Sequence, residues 1–241
     1  KAIKQQQDAD EILVYLQQLL LSADRRGVKI TRDLLREHGA ATKPFAGLPG
    51  WFERINTHAR ERGLLLEHYV VSSGIEEMIT GTTIAGALTR VYASKYMYDA
   101  HGVAVWPAAA VNYTTKTQYL FRINKGVPNH WDNERINRWI PNEDRPVPFS
   151  RMVYLGDGET DVPSMKMVRH QGGYSVGVFD PRRWKSHEAQ PVAFRLIAED
   201  RANFVVPADY TDGSQLDVAI KGLLGRIARD QAGYRGDDAG S

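Results

Sequence analysis

The 241-residue chain is long enough for one large domain, or for a domain with a small companion, and can bury a sizeable core. Its 42% hydrophobic and 25% charged residues exclude a disordered or fibrous protein, and its net charge of +2 gives no reason to expect nucleic acid or an anionic membrane as a partner. The absence of cysteine excludes disulfides, thiolate catalysis and Cys-based metal sites, and is compatible with the cytoplasmic location that we expect. The sequence contains no apolar run of about 18 residues, the length that would predict a membrane-spanning helix.

The first 44 residues are predicted to form a small helical unit. Apolar residues at helical spacing predict helices across residues 8–38, the second beginning after the N-cap Thr31 and stopping at Gly39. The helical pattern ends before residues 40–44, and this stretch is taken as the boundary with the main body.

Helical and strand patterns alternate in the remaining chain. The predicted helices cover residues 49–62, 75–80, 114–125, 161–170 and 214–229. The predicted strands cover residues 64–71, 90–94, 151–155, 174–179 and 203–208, with a hairpin over 95–106 that turns at His101 and Gly102. This alternation predicts a parallel, doubly wound sheet, followed by a flexible tail over residues 230–241.

The segment MVYLGDGETDVPSM places Asp157, Glu159 and Asp161 directly after a predicted strand. Acids this close repel one another unless a cation or hydrogen-bond donors hold them. A dinucleotide-binding fingerprint does not fit, because Asp161 stands at its third glycine, and an EF-hand loop does not fit, because its sixth and twelfth residues would be Val162 and Val168. A turn whose acids cap the next helix remains open. A Mg²⁺ site explains more, since Mg²⁺ prefers one or two carboxylates with waters and phosphate oxygens; Glu159 is expected to point to solvent.

Two other segments carry candidate phosphate-binding groups. YVVSSG ends a strand with Ser72, Ser73 and Gly74, which either bind an anionic oxygen or cap a helix. Lys116, in NYTTKTQYLF, lies in the first turn of a helix, where the helix dipole disfavours a cation. This placement suggests a compensating anion, and a solvated lysine is the alternative.

In this order, Ser72 in VVSSG, Lys116 in TTKTQ and the motif GDGETDVPSM resemble the haloacid dehalogenase (HAD) superfamily of phosphohydrolases. The resemblance covers about residues 45–225 and is closest to the phosphoserine-phosphatase-like branch. It implies a doubly wound, parallel, Rossmann-like α/β fold of HAD type with a small α-helical cap. Residues 1–44 would then be part of the cap, and residues 45–229 the core, with an inserted segment over 126–150.

The resemblance also implies the roles of the candidate residues. Those assigned to the substrate phosphate are Ser72, Ser73, Gly74 and Lys116. Those assigned to Mg²⁺ are Asp157 and Asp161. Lys116 would also neutralise the attacking nucleophile, and Asp161 would orient Lys116 or a metal-bound water. The implied activity is Mg²⁺-dependent hydrolysis of a small phosphorylated metabolite through an aspartyl-phosphate intermediate, with no nucleic acid or membrane as a partner.

The chain departs from the family in its first motif. The family has an apolar strand followed by D-x-D, which supplies the nucleophilic Asp, whereas the D-x-D of this chain, Asp8–Asp10, follows three glutamines within a predicted helix. We therefore expect the nucleophile upstream of Lys1, and residues 1–241 alone to be inactive. The rival hypothesis is a non-catalytic HAD-like scaffold that binds a phosphate compound or a protein partner.

The inserted segment GVPNHWDNERINRWIPNEDRPVPFS has two interpretations. The favoured one is a short helix beginning at Asp132, with Trp131 and Trp139 anchored on the core. The functional alternative is a rim over the site or a partner surface.

Overall fold

The computed structural model describes residues 2–185, 187 and 189–237, which form a mixed α/β protein with parallel strand pairs. The elements, in chain order, are α1 (Ala2–Gln6), α2 (Glu11–Asp24), α3 (Arg32–Ala40), α4 (Leu48–Arg60), β1 (Tyr69–Ile75), α5 (Glu76–Thr80), β2 (Arg90–Tyr98), β3 (Ala104–Ala109), α6 (Lys116–Lys125), α7 (Asn133–Asn137), β4 (Val153–Gly156), α8 (Val162–His170), β5 (Tyr174–Phe179), α9 (Pro181–Lys185), α10 (Gln190–Ala198), β6 (Phe204–Pro207) and α11 (Gln215–Asp237).

The chain divides into two compact units, each built from two separate stretches of sequence. The first contains the described parts of residues 1–44 and 67–116, and the second contains those of residues 45–66 and 117–241. The sequence-based division into a cap over 1–44 and a core over 45–229 stays a prediction.

The first unit is built on the sheet order β1-β2-β3, in which β1 is parallel and β3 antiparallel to β2. The predicted hairpin is confirmed, because β2 and β3 pair across a turn in which Gly102 has a φ of +75°. The Tyr96 hydroxyl donates to the Leu16 carbonyl over 2.9 Å, so helix α2 is tied to this sheet.

Helices α3 and α5 of the first unit approach so closely that only glycine fits at two positions. A Cβ atom added at Gly39 would overlap the Met78 carbonyl oxygen, and one added at Gly81 would overlap the Arg36 carbonyl oxygen. The predicted N-cap of α3 is confirmed, since Thr31 Oγ1 accepts from the Leu34 amide at 3.2 Å.

The second unit contains a parallel sheet in the order β4-β5-β6. Gly156 pairs with Gly177, and Phe179 pairs with Pro207, so the three strands end at one edge of the sheet. Among the described residues β4 pairs with β5 alone, which leaves the other edge of β4 without a strand.

Several predicted boundaries were wrong. The strand predicted from Leu64 begins only at Tyr69, where pairing with Arg90 of β2 starts; Leu65 is 86% exposed. The closing helix continues to Asp237, past its predicted end at Arg229; the last residues of the predicted tail, 238–241, lie outside the described residues. The short helices α1 and α9, and α10, were not predicted.

The inserted segment contains the expected short helix. Asp132 caps α7, since its Oδ1 accepts from the Arg135 amide at 3.0 Å. The predicted anchoring by tryptophans was wrong, because Trp131 is 77% exposed and Trp139 is 83% exposed.

Side chains of α6, and not tryptophans, hold the inserted segment. Arg122 and Asn124 are buried at 5% and 0% exposure, and together with Lys125 they donate hydrogen bonds to backbone carbonyls of the segment. The accepting carbonyls are those of Asn129, His130, Ile136, Arg138 and Val147. The segment is therefore a structured feature that presents two large aromatic side chains to solvent.

Helices α4 and α11 are joined through a buried carboxylate. The Asp217 side chain is fully buried and lies 3.3 Å from Arg54 Nε and 2.7 Å from Lys221 Nζ. Burial alone would raise the pKa of Asp217, but hydrogen bonds from Lys221 and the Gly213 amide, with the nearby Lys221 and Arg54, lower it overall.

The Asp217→Asn substitution is expected to destabilise the protein by about 2 kcal/mol at pH 7, less than for a fully buried pair because both cations are a quarter exposed. The lowered pKa means that this stability is present above the usual Asp pKa of about 3.9 and is lost as the pH falls through the folded-state value. Urea unfolding at pH 7 and pH 3 should therefore show a smaller difference between the two proteins at pH 3. The exposed Asp33→Asn is the control, with an expected change below about 0.5 kcal/mol, and an Asp217→Asn loss that does not depend on pH would contradict the assignment.

Within the described parts of the chain, no helix has the length and apolar character needed to cross a membrane.

Candidate functional site

The acidic turn after β4 is held by hydrogen-bond donors that converge on Asp161. The Tyr154 hydroxyl donates to Asp161 Oδ1 at 2.6 Å, and the Asp157 amide donates to Asp161 Oδ2 at 3.1 Å. Asp161 is 6% exposed, whereas the Asp157 carboxylate is exposed. Asp161 is thus buried within the turn, whereas Asp157 is exposed at the carboxyl end of β4.

The helix-capping interpretation of these acids was wrong for Asp161. Asp161 occupies the N-cap position of α8, but its side chain makes no capping hydrogen bond and turns back toward β4. A Cβ atom added at Gly156 would lie 2.6 Å from Asp161 Cβ, so the first glycine of the motif makes room for this side chain, while Gly158 faces open space. The Glu159 side chain, predicted to point to solvent, lies outside the described residues.

Two tyrosines that the sequence analysis did not identify interact with the acids of this turn. Burial, followed by the charge of Asp161 and the hydrogen bond to it, raises the pKa of Tyr154 above its usual value. Burial and then the charge of Asp157 raise the pKa of Tyr210, in the loop after β6, to about 12. Both phenols therefore remain neutral at physiological pH and keep a proton to donate. The hydroxyl in an otherwise apolar strand is the signal that could have identified Tyr154.

The SSG segment lies in the first unit, where β1 leaves its regular pairing with β2. Ser72 pairs with Ala93, and the register then shifts before Ile75. Ser72 Oγ accepts from the Gly74 amide at 3.0 Å, and the buried Ser73 Oγ has no hydrogen-bond partner among the described residues. The helix-capping interpretation was wrong here, because Ile75 is the N-cap residue of α5 and no side chain caps that helix.

Lys116 is the first residue of α6 and is 5% exposed, so the interpretation of a solvated lysine was wrong. Asn112 organises the turn before it. Asn112 Oδ1 accepts from the amides of Thr114 and Thr115, at 3.1 and 2.9 Å, and the Asn112 carbonyl accepts from the Lys116 amide at 3.1 Å.

Ser94 links the two candidate segments of the first unit. This residue of β2 is fully buried, and its hydroxyl donates to the Ser73 carbonyl at 3.2 Å and accepts from the Val111 amide at 3.0 Å. The end of β1 and the turn that leads to Lys116 are therefore connected through one side chain. The strand pattern offered no sign of this, because a serine within a strand has no distinctive spacing.

The candidate residues thus form two groups, each described within its own unit. Ser72, Ser73, Gly74 and Lys116 belong to the first, and Asp157 and Asp161 belong to the second. The predicted proximity of Lys116 to Asp161 stays a prediction.

The acidic turn offers few protein ligands to a metal ion. Within residues 2–185, 187 and 189–237, no three or more His, Asp or Glu side chains cluster as a metal site. Mg²⁺ needs only one or two carboxylates beside waters and substrate oxygens, and the exposed Asp157 offers one. Both Asp161 oxygens already accept hydrogen bonds, so Asp161 has less capacity left for a metal.

No family model matches this chain. An uncharacterised protein of Borreliella burgdorferi is 26% identical over 195 residues, which cover 74% of this chain. The match spans 65% of the length of that relative.

Proposed function

We propose that the chain is part of a Mg²⁺-dependent phosphohydrolase with a doubly wound fold of HAD type and a helical cap. The observation that carries the proposal is the edge of β4 beside the acidic turn, with which no strand of the described residues pairs. A further strand pairing there in parallel would end next to Asp157, because parallel strands bring their carboxyl ends to one edge of a sheet. The family resemblance assigns the nucleophilic Asp to the end of such a strand.

The proposed reaction has two steps. A carboxylate oxygen of the upstream nucleophilic Asp attacks phosphorus, and the ester oxygen leaves with a proton donated by the second Asp of the same motif. Water, which returns a proton to that second Asp, then attacks the aspartyl-phosphate and releases inorganic phosphate and the free nucleophilic carboxylate. Bound Mg²⁺ would neutralise charge on the phosphoryl oxygens, with Asp157 as its protein ligand. Lys116 would neutralise the phosphate, and the hydroxyl of Ser72 would bind it.

Asp161 has a supporting role in this proposal. Its two hydrogen bonds to Tyr154 and the Asp157 amide favour a turn whose shape is set before the metal binds. Such preorganisation reduces the free-energy cost of arranging the ligands during the reaction.

The test is hydrolysis of p-nitrophenyl phosphate by the complete protein as its gene encodes it. Removal of metal with EDTA is expected to lower the rate by at least about 100-fold, a loss of some 2.7 kcal/mol in transition-state stabilisation, and added Mg²⁺ should restore it. Hydrolysis that continues unchanged in EDTA would overturn the metal assignment.

The non-catalytic scaffold remains the second candidate, and the exposure of Trp131 and Trp139 favours it. Large exposed aromatic side chains on a structured segment are typical of binding surfaces. The sequence immediately upstream of Lys1 distinguishes the two functions, since D-x-D after an apolar strand supports the enzyme and its absence supports the scaffold.

A further inference from the structure

The carboxylate of Asp10 bonds to two distant parts of the first unit. Its Oδ1 accepts from the amides of Ile12 and Leu13, both at 2.9 Å, and so caps α2. Its Oδ2 accepts from Asn112 Nδ2 at 2.7 Å, across 102 residues of sequence. The D-x-D of this chain, which the sequence places within a predicted helix, therefore includes a residue with a long-range contact.

The orientation of the Asn112 side chain follows from its other partners. Its Oδ1 accepts from the backbone amides of Thr114 and Thr115, so the amide nitrogen must face away from the turn and toward Asp10. The Asn112 carbonyl in turn accepts a hydrogen bond from the Lys116 amide. Hydrogen bonds thus run without interruption from the start of α2 to the start of α6.

The turn that leads to Lys116 is held from two sides. Ser94 of β2 binds the Val111 amide, and Asp10 binds the side chain of the next residue, Asn112. Burial raises the pKa of Asp10, but the hydrogen bonds from Asn112 and from the amides at the start of α2 lower it overall. The carboxylate is therefore ionised at neutral pH, and hydrogen bonds to a charged acceptor are stronger than neutral ones.

We propose that Asp10 is a positioning residue, which sets the place of Lys116 by holding the Asn112 side chain. A helix cap alone would need one side-chain oxygen, and serine serves as well. The second oxygen of Asp10, which accepts from Asn112, couples residues 1–44, the predicted cap domain, to Lys116, the lysine predicted to bind phosphate. The catalytic part of this inference rests on the proposed phosphohydrolase function, whereas the coupling of Asp10 to the turn does not.

An exchange of the two side-chain types tests the coupling. Asp10→Asn and Asn112→Asp singly each place two like groups face to face, donors in the first variant and acceptors in the second. The double variant restores a donor facing an acceptor, with the α2 cap and the turn contacts retained. Hydrogen exchange of the amides of residues 113–117 should accelerate roughly tenfold in each single variant, consistent with one lost charged hydrogen bond, and return to the original rate in the double variant.

The matched controls separate capping from positioning. Asp10→Ser keeps a capping oxygen but is too short to reach Asn112, so it should accelerate exchange at 113–117 while the first amides of α2 change little. Thr31→Ala removes the cap of another helix of the same unit and should leave residues 113–117 unchanged.

Kinetics of p-nitrophenyl phosphate hydrolysis by the complete protein then test the role of Lys116. The single variants should lose kcat/KM, and the double variant should recover it. Unchanged amide exchange at residues 113–117 in both single variants would overturn the inference. Faster exchange in the single variants with an unchanged kcat/KM would overturn it as well. If the original protein shows no hydrolysis, the phosphohydrolase proposal fails, and the exchange data alone decide whether Asp10 positions the turn.

Discussion

Asp157→Asn in the complete protein is expected to lower Mg²⁺-dependent hydrolysis of p-nitrophenyl phosphate by at least about 100-fold. Asn has nearly the same shape but carries no charge, so the substitution removes the attraction for the cation while the backbone bond to Asp161 can persist. The measurement is kcat/KM at saturating Mg²⁺, together with the Mg²⁺ concentration that gives half of the full rate. The second quantity should rise if the carboxylate binds the metal.

Asp180→Asn is the matched control for this substitution. Asp180 follows β5, the neighbouring parallel strand, and pairs with the exposed Arg182. The substitution should leave kcat/KM and the Mg²⁺ concentration for half of the full rate nearly unchanged, because an ion pair with an arginine as exposed as Arg182 contributes little. Equal losses in both variants would point to a general effect of charge at this edge of the sheet and would contradict a specific role for Asp157.

Gly39→Ala is expected to destabilise the protein by about 3 kcal/mol, the upper end of the usual cost of overpacking. The added methyl group would meet the Met78 backbone, and a backbone atom cannot move aside as a side-chain end can. Helices α3 and α5 would have to separate, and the contacts between them would be lost. Chemical denaturation gives the free energy of unfolding directly.

The control is the same substitution at a helical glycine with open space around it. Nothing lies within 4 Å of a Cβ atom at Gly222 in α11, so Gly222→Ala should stabilise the protein by up to about 1 kcal/mol through helix propensity. A neutral Gly39→Ala would mean that α3 and α5 pack less closely than described.

Local patterns predicted the elements that depend on neighbouring residues. The N-cap at Thr31 and the turn at Gly102 follow from residue types that act within a few positions. Ser94 and Asp10 could not be recognised in this way, because their partners lie 17 or more residues away and any polar residue could occupy such places.

The tryptophans show a different limit of the sequence. Aromatic residues usually find burial, and this tendency suggested that Trp131 and Trp139 anchor the inserted segment. Polar side chains of α6 hold the segment instead of the tryptophans, since Arg122 and Lys125 donate hydrogen bonds to its backbone carbonyls. Periodicity identifies apolar faces, but it does not show which long polar side chains will reach backbone groups elsewhere.

The pair of Arg54 and Asp217 has a consequence for the order of events during synthesis. These residues are 163 positions apart, and helix α4 packs with α11 in the second unit. At 5–20 residues per second, a ribosome needs roughly 10 to 30 s to add the intervening chain. The second stretch of the first unit, residues 67–116, is added during that interval, whereas α4, with the apolar side chains of Trp51 and Ile55, must wait for its partner. A nascent chain stalled before α11 would therefore present α4 as an exposed binding site for chaperones.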